Sequence, residues 1–142
     1  MAKGSKPFGP VYFLTNYLFS CNCELIVKDI ELKLDDLKIS PHSEIKGHIQ
    51  VNYPGRYDGV VINIQILGSN ELVVYRSYNE KKISQNVSRL FISKNNMPNN
   101  KADFSASIEF EPKETHEVKF RASIIEQHKE IESAVVFAKF SI

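Results

Sequence analysis

Tryptophan is absent from this sequence, and cysteine occurs only twice, as Cys21 and Cys23 in "SCNC". Residues two apart on an extended chain point to opposite faces, so this pair does not readily close on itself as a disulfide. A closed zinc site takes about four ligands, and no second cysteine pair exists. The expectation is two reduced thiols in a cytosolic protein, not a disulfide-stapled scaffold. Excess charge of one sign is missing too. Eighteen Lys and Arg face seventeen Asp and Glu, a formal net charge of +1. Acids stand beside the bases in "VKDIELKLDDLK" and "EQHKEIE", which describes solvated faces and gives no reason to expect a nucleic-acid partner. Long apolar runs are lacking as well. The longest candidate, Val11 to Phe19, is broken by Thr15 and Asn16, and a bilayer span takes about 20 apolar residues.

Recognisable chemistry is also missing. No G-x-S-x-G elbow occurs, and His42, His48, His116 and His128 fall at no H-x-H or H-x-x-x-H spacing. The one adjacent acidic pair, Asp35-Asp36, lies in a connection, where Asp is an ordinary turn residue. "NYPGRYDG" contains glycine but opens no helix, so it is no phosphate cradle. "NVS" at Asn86 is a glycosylation acceptor only on a secreted chain. The sequence therefore predicts no catalytic residues, no metal and no cofactor: a protein that is not an enzyme.

What is present is alternation with period two. At 142 residues the chain is one domain by length. From Glu24 onward it alternates in "ELIVKDIELKL", with a one-residue slip at Lys28–Asp29 that a bulge or a change of strand must absorb. The runs 45–51 and 60–66 follow, then "ELVVYRSY" (71–78), a weaker "RLFIS", "DFSASIEF", "HEVKFRASII" and "SAVVFAKFSI". Turn signals separate them every eight to twelve residues or so, the mark of an antiparallel sandwich or barrel. The expected fold is all-β, an antiparallel two-sheet β-sandwich of about seven to nine strands over 24–142, with 1–23 as an N-terminal extension. Its core should contain Ile49, Val51, Ile62, Ile64, Phe104, Ile108, Val118, Phe120, Val136 and Phe140, with Ile142 on the same face as Phe140. Ser105 and Ser107 should face out.

The extension supports two readings. Lys3 and Lys6, the apolar-aromatic run and "LFSC" together resemble a short leader ending in a lipoprotein cleavage box of the Leu-x-small-Cys type. Pro7, Pro10 and the bulky Phe19 suit instead an extended segment packed on the domain.

A family resemblance rests on "IELKLDDLKISPHSEIKGHIQVNYPGRYDGVVINIQILGS". It is similar to the opening of arrestin-like domains: an alternating strand, a corner (here Pro41-His42-Ser43-Glu44), a strand with Gly47, Ile49 and Val51, and a strand ending at Gly68. "ADFSASIEFEPKETHEVKFRASII" resembles a later strand pair of that family, so the likeness spans 28–142. His42 and Ser43 stand where the family usually has glycine. The resemblance implies one arrestin-like or immunoglobulin-like sandwich acting as a scaffold, without the buried charge cluster of a phosphate sensor.

The functional expectation is a cytoplasmic, non-catalytic adaptor that binds another protein. The alternative is a secreted or lipid-anchored immunoglobulin-like surface domain with Cys21 as the anchor. Candidate contact residues are Tyr53, Arg56 and Tyr57, residue types enriched at interface hot spots. Val73 and Tyr75 join them as an apolar patch on the opposite phase from the core, beside an edge strand open to strand addition or to a homodimer.

Overall fold

A computed structural model describes residues 27–142 of the protein. The extension over 1–23, the Cys21/Cys23 pair and the Leu25 end of the first alternating run lie outside the described residues. The rest forms ten strands: β1 (Ile30–Leu34), β2 (Lys38–Ile39), β3 (Ile45–Val51), β4 (Gly59–Ile66), β5 (Val74–Tyr78), β6 (Lys81–Lys82), β7 (Leu90–Ser93), β8 (Lys101–Ser107), β9 (His116–Glu126) and β10 (Lys129–Phe140). Two single-turn 3-10 helices, Lys94–Asn96 and Pro98–Asn100, lie between β7 and β8. The first sheet runs β1-β3-β8-β5-β6 and the second β2-β10-β9-β4-β7, which makes the protein a two-sheet β-sandwich.

Alternation explains the elements. In β3 the burial follows the sequence: Ile45, Gly47, Ile49 and Val51 face in, while Lys46 and His48 face water. Gly47 stands opposite Phe104 of β8, and a Cβ at Gly47 would meet the Phe104 ring. The missing side chain lets a large ring lie over the strand, which is why glycine is tolerated there. The turn after β4 carries Gly68 at φ 80°, a conformation that glycine adopts without strain. The turn from β9 to β10 is shorter than "EQHKEIE" suggests. It consists of Gln127 and His128, both at positive φ, and β10 resumes at once at Lys129.

The core matches the expected set at nine of its ten positions, from Ile49 to Phe140; Val136 is half-buried and packs against the cluster. Val60, Ile62, Ile92, Phe120, Ala122, Ile124 and Phe140 are wholly inaccessible. Three expectations are corrected. Ile142 is 85% exposed, because the β10 ladder ends at Phe140. Ser105 and Ser107 are buried, because β8 is the central strand of its sheet and its outer face is covered. Ser105 meets Ser77 hydroxyl to hydroxyl at 2.6 Å, and Ser107 accepts from Arg76 Nε at 2.9 Å. Lastly, β2 lies in the connection read as a loop and pairs with β10 in parallel, so the second sheet is mixed.

Candidate binding margin

A sandwich has two long margins where the edges of its sheets face each other. At one, the first sheet ends at β6 and the second at β7, and residues 83–89 carry the chain from one to the other. Ile83 and Val87 pack half-buried on the core there, and Ile83 N donates to Arg76 O at 2.9 Å. Asn79 ties down the turn ahead of β6: its Oδ1 accepts from Asp103 N at 2.8 Å and its Nδ2 donates to Asn96 O at 2.5 Å.

Among the described residues, the other margin, between β1 and β10, is open over much of its length. Asp29 O accepts from Asn52 N at 2.7 Å and Asp35 N donates to Lys46 O at 3.0 Å, so the odd residues of β1 bond to β3. Antiparallel alternation then turns the N–H and C=O of Ile30, Leu32 and Leu34 the other way. On β10, Lys139 N donates to Leu37 O at 2.9 Å and Ser141 N to Ile39 O at 3.1 Å, so its odd residues face away from β9. β2 covers β10 at Lys139–Phe140 and no further. Among the described residues, Ser133, Val135 and Phe137 therefore have no strand on that side, and Ser133 N turns to the neighbouring Glu132 Oε1 at 3.4 Å.

Between these two backbone strips lies a groove of about 890 Å³, in the size range of ligand pockets. Its walls include Ile30, Leu32, Glu132, Ala134 and Val136. Ala134 and Val136 remain half-buried, unlike the wholly buried Ala122 and Phe120 opposite them on β9. A shift of register between Glu130 and Glu132 breaks the start of β10, and Val135 and Phe137 stand exposed along its outer side. Unpaired backbone groups beside partly covered apolar side chains are what an added strand uses.

The residues proposed from the sequence lie elsewhere. Tyr75 is 4% exposed, and its hydroxyl accepts from Ile64 N at 3.0 Å and donates to Ile62 O at 3.4 Å. The reason is visible in the second sheet: β7 ends opposite Ile62, so the next outward N–H of β4 would lack a partner without this hydroxyl. Burial raises the Tyr75 pKa. Val73 is buried ahead of β5, so neither residue forms a surface patch; Leu72, on the other phase, is the exposed one. Tyr57 is buried too. Its hydroxyl donates to Asn100 Oδ1 at 2.6 Å, and Lys94 Nζ sits 4.6 Å from its ring centre. Burial raises its pKa as well. Tyr53 is half-buried with its ring over Gly55, and Arg56 is exposed. The structure thus leaves Arg56 and part of Tyr53 at the surface and takes Tyr57, Val73 and Tyr75 into the interior.

Sequence reasoning missed a polar cluster on the outer face of the first sheet. His48 Nε2 lies 2.6 Å from Asp35 and its Nδ1 2.8 Å from Asp103. His42 Nδ1 lies 2.6 Å from Glu109 and its Nε2 3.3 Å from Glu111. Glu109 also accepts from Arg76 at 2.7 Å and from Ser107. The hydrogen bond with Glu109 raises the His42 pKa and that with Asp103 raises the His48 pKa. Ser107, His42 and Arg76 in that order lower Glu109 to about 2. Among the described residues, no three His, Cys, Asp or Glu side chains gather as a metal-holding group. No helix among them is long and apolar enough to cross a membrane.

No protein-family model matches the chain, and no curated protein matches it in sequence. Solved structures resemble it in fold. The human F-spondin reeler domain is 8% identical, with 78% of this chain and 89% of that one aligned and a TM-score of 0.52. A lipoprotein from Bacteroides thetaiotaomicron is 7% identical, with 90% of this chain and 88% of that one aligned and a TM-score of 0.50. The likeness at these identities is one of β-sandwich architecture.

Proposed function

We propose that this chain is a non-catalytic β-sandwich held at a membrane surface through Cys21, and that it binds an extended segment of another protein along its β1/β10 margin. The observation that carries the binding half is the pair of facing backbone strips at Ile30, Leu32, Leu34 and at Ser133, Val135, Phe137. A strand laid there gains main-chain hydrogen bonds and covers Ala134 and Val136. The arrestin-like resemblance supports a scaffold role. The anchor half rests on "LFSC" behind Lys3, Lys6 and the apolar run. That one fold neighbour is described as a lipoprotein accords with it. Cys21 stands nine positions before Ile30 (30 − 21), which bounds how far the margin can stand from the surface.

Two experiments test these halves separately. The full chain should fractionate with membranes, with a mass that reports loss of residues 1–20 and gain of lipid, and Cys21→Ala should be soluble and unlipidated. An intact, soluble native chain would return the protein to the intracellular adaptor reading. For the margin, Val135→Pro replaces an outward N–H at an edge, where proline is tolerated. It should reduce capture of the partner at least tenfold with little change in melting temperature. Undiminished capture would move the site away from β10. Self-association lost in the same variant would make the occupant a second copy.

A further inference from the structure

The crossover 35–44 leaves the first sheet after β1, lends β2 to the second sheet, and returns to begin β3. It is the one described segment that covers part of the open margin, and both of its ends are fastened by an imidazole. At its start, His48 of β3 spans Asp35 and Asp103 of β8. At its return, His42 belongs to the crossover itself and spans Glu109 and Glu111 beyond β8, while its backbone N donates to Ile108 O at 2.9 Å. His42 holds φ 67°, an uncommon conformation for a residue with a side chain. In both rings each nitrogen faces a carboxylate. A neutral imidazole has one N–H and one lone pair, so it can donate to one of the two; the other carboxylate then faces a lone pair. Only the doubly protonated ring satisfies both.

We infer that His42 and His48 form a proton-operated clasp on the crossover, closing the β2 end of the margin when protonated and loosening it when neutral. The inference rests on the margin being the binding edge only for its consequence, which is control of how much of β10 is free. Other charges also stand around the two rings. Lys33 on β1 lies in register with His48, and Glu31 and Lys101 line the same shallow pocket, so one anion and two cations surround the His48 bridge beyond its two carboxylates. Arg76 of β5 faces His42 through their shared Glu109, a carboxylate that Ser107, His42 and Arg76 in that order keep ionised well into acid. Both histidines have raised pKa values in the folded protein. The clasp is therefore complete below the ordinary imidazole range, near 6.5, and is lost as pH rises through the folded values. On the acid side, the Glu109 arm persists down toward about 2.

Amide exchange on the full chain, with no partner present, reads the clasp directly. Lys139 and Ser141 donate to Leu37 and Ile39 of the crossover, and Asp35 donates to Lys46. Their protection, corrected for intrinsic exchange, should fall several-fold from about pH 5 to about pH 9, following the His42 and His48 ring titrations by NMR. Amides of the β4–β9 ladder should not change. In the His42→Gln, His48→Gln double variant, protection at the three sites should be low and independent of pH. Unchanged protection across pH in the parent, or the same pH dependence in the double variant, overturns the clasp. Either result leaves strand addition at Val135 standing, because no partner enters this measurement.

Discussion

The two margins of the sandwich are built from similar edges and finished differently. At the β6/β7 margin the chain crosses in person, with Ile83 and Val87 on the core and Asn79 bonded on both sides. Where strand cover stops there, a side chain completes the job: Tyr75 reaches Ile64 N. At the β1/β10 margin the crossover contributes two residues of β2 and no side chain caps Val135 or Phe137 among the described residues. Unsatisfied backbone at a sheet edge invites pairing, and folded proteins usually cover, twist or charge it. Among the described residues, one margin is covered and the other carries a break in register and Glu132 but stays accessible. The contrast teaches that openness is local to β10 and not a general looseness of the domain.

The sharpest test of that contrast compares two core positions in register across β9 and β10. Phe120→Ala, at a wholly buried site, should cost about 3–5 kcal/mol in denaturant unfolding. Its neighbour Val136→Ala, half-buried at the groove, should cost less than about 1.5 kcal/mol. A cost of about 2–3 kcal/mol at Val136, as for a wholly buried valine, would mean that the margin is closed in solution. Next in size, Tyr75→Phe removes the cap of the covered margin and strands the Ile64 N–H, for about 1–3 kcal/mol. A loss near zero would show that this N–H finds water, and the two margins would then differ less than the structure implies.

Smaller effects follow from the exposed histidines. Since both pKa values are raised on folding, His42 and His48 stabilise the fold at acid pH and contribute less as pH rises through their folded values. The double Gln variant should lose that slope between mildly acidic and alkaline melting curves, with little change at the alkaline end. The smallest effect belongs to the loop between β3 and β4. Arg56→Ala should leave stability within about 0.5 kcal/mol. If it weakens partner capture as much as Val135→Pro does, the loop shares the site; if not, the margin acts alone.

The strands that fill the core were legible because their patterns are unambiguous: Ile49 and Val51, or Val118 and Phe120, alternate with charged residues. β5 was not. Leu72 and Val74 on one phase and Val73 and Tyr75 on the other are both apolar, so alternation cannot tell which face turns in; the hydroxyl contact to Ile64 decides it. Ser105 and Ser107 look like surface residues because their burial comes from neighbours on other strands, Ser77 and Arg76. The imidazole bridges were hidden for the same reason. His48 meets Asp35 and Asp103 at separations of 13 and 55 residues, which no local spacing rule detects. The open margin is a property of strand order, and no single residue encodes it.

The parallel pairing of β2 with β10 gives the molecule a mechanical character. Elsewhere the strands are joined antiparallel within each sheet, and the sheets meet through side chains. β2 is a splice, holding β10 through Lys139 N to Leu37 O and Ser141 N to Ile39 O. Because the two strands run the same way, tension pulling β10 by its far end against β2 loads both bonds at once, in shear, instead of peeling them one after the other. A splice this short yields early and as a unit. Force spectroscopy on the whole chain should therefore register a small extension when β2 slips from β10, before the core ruptures.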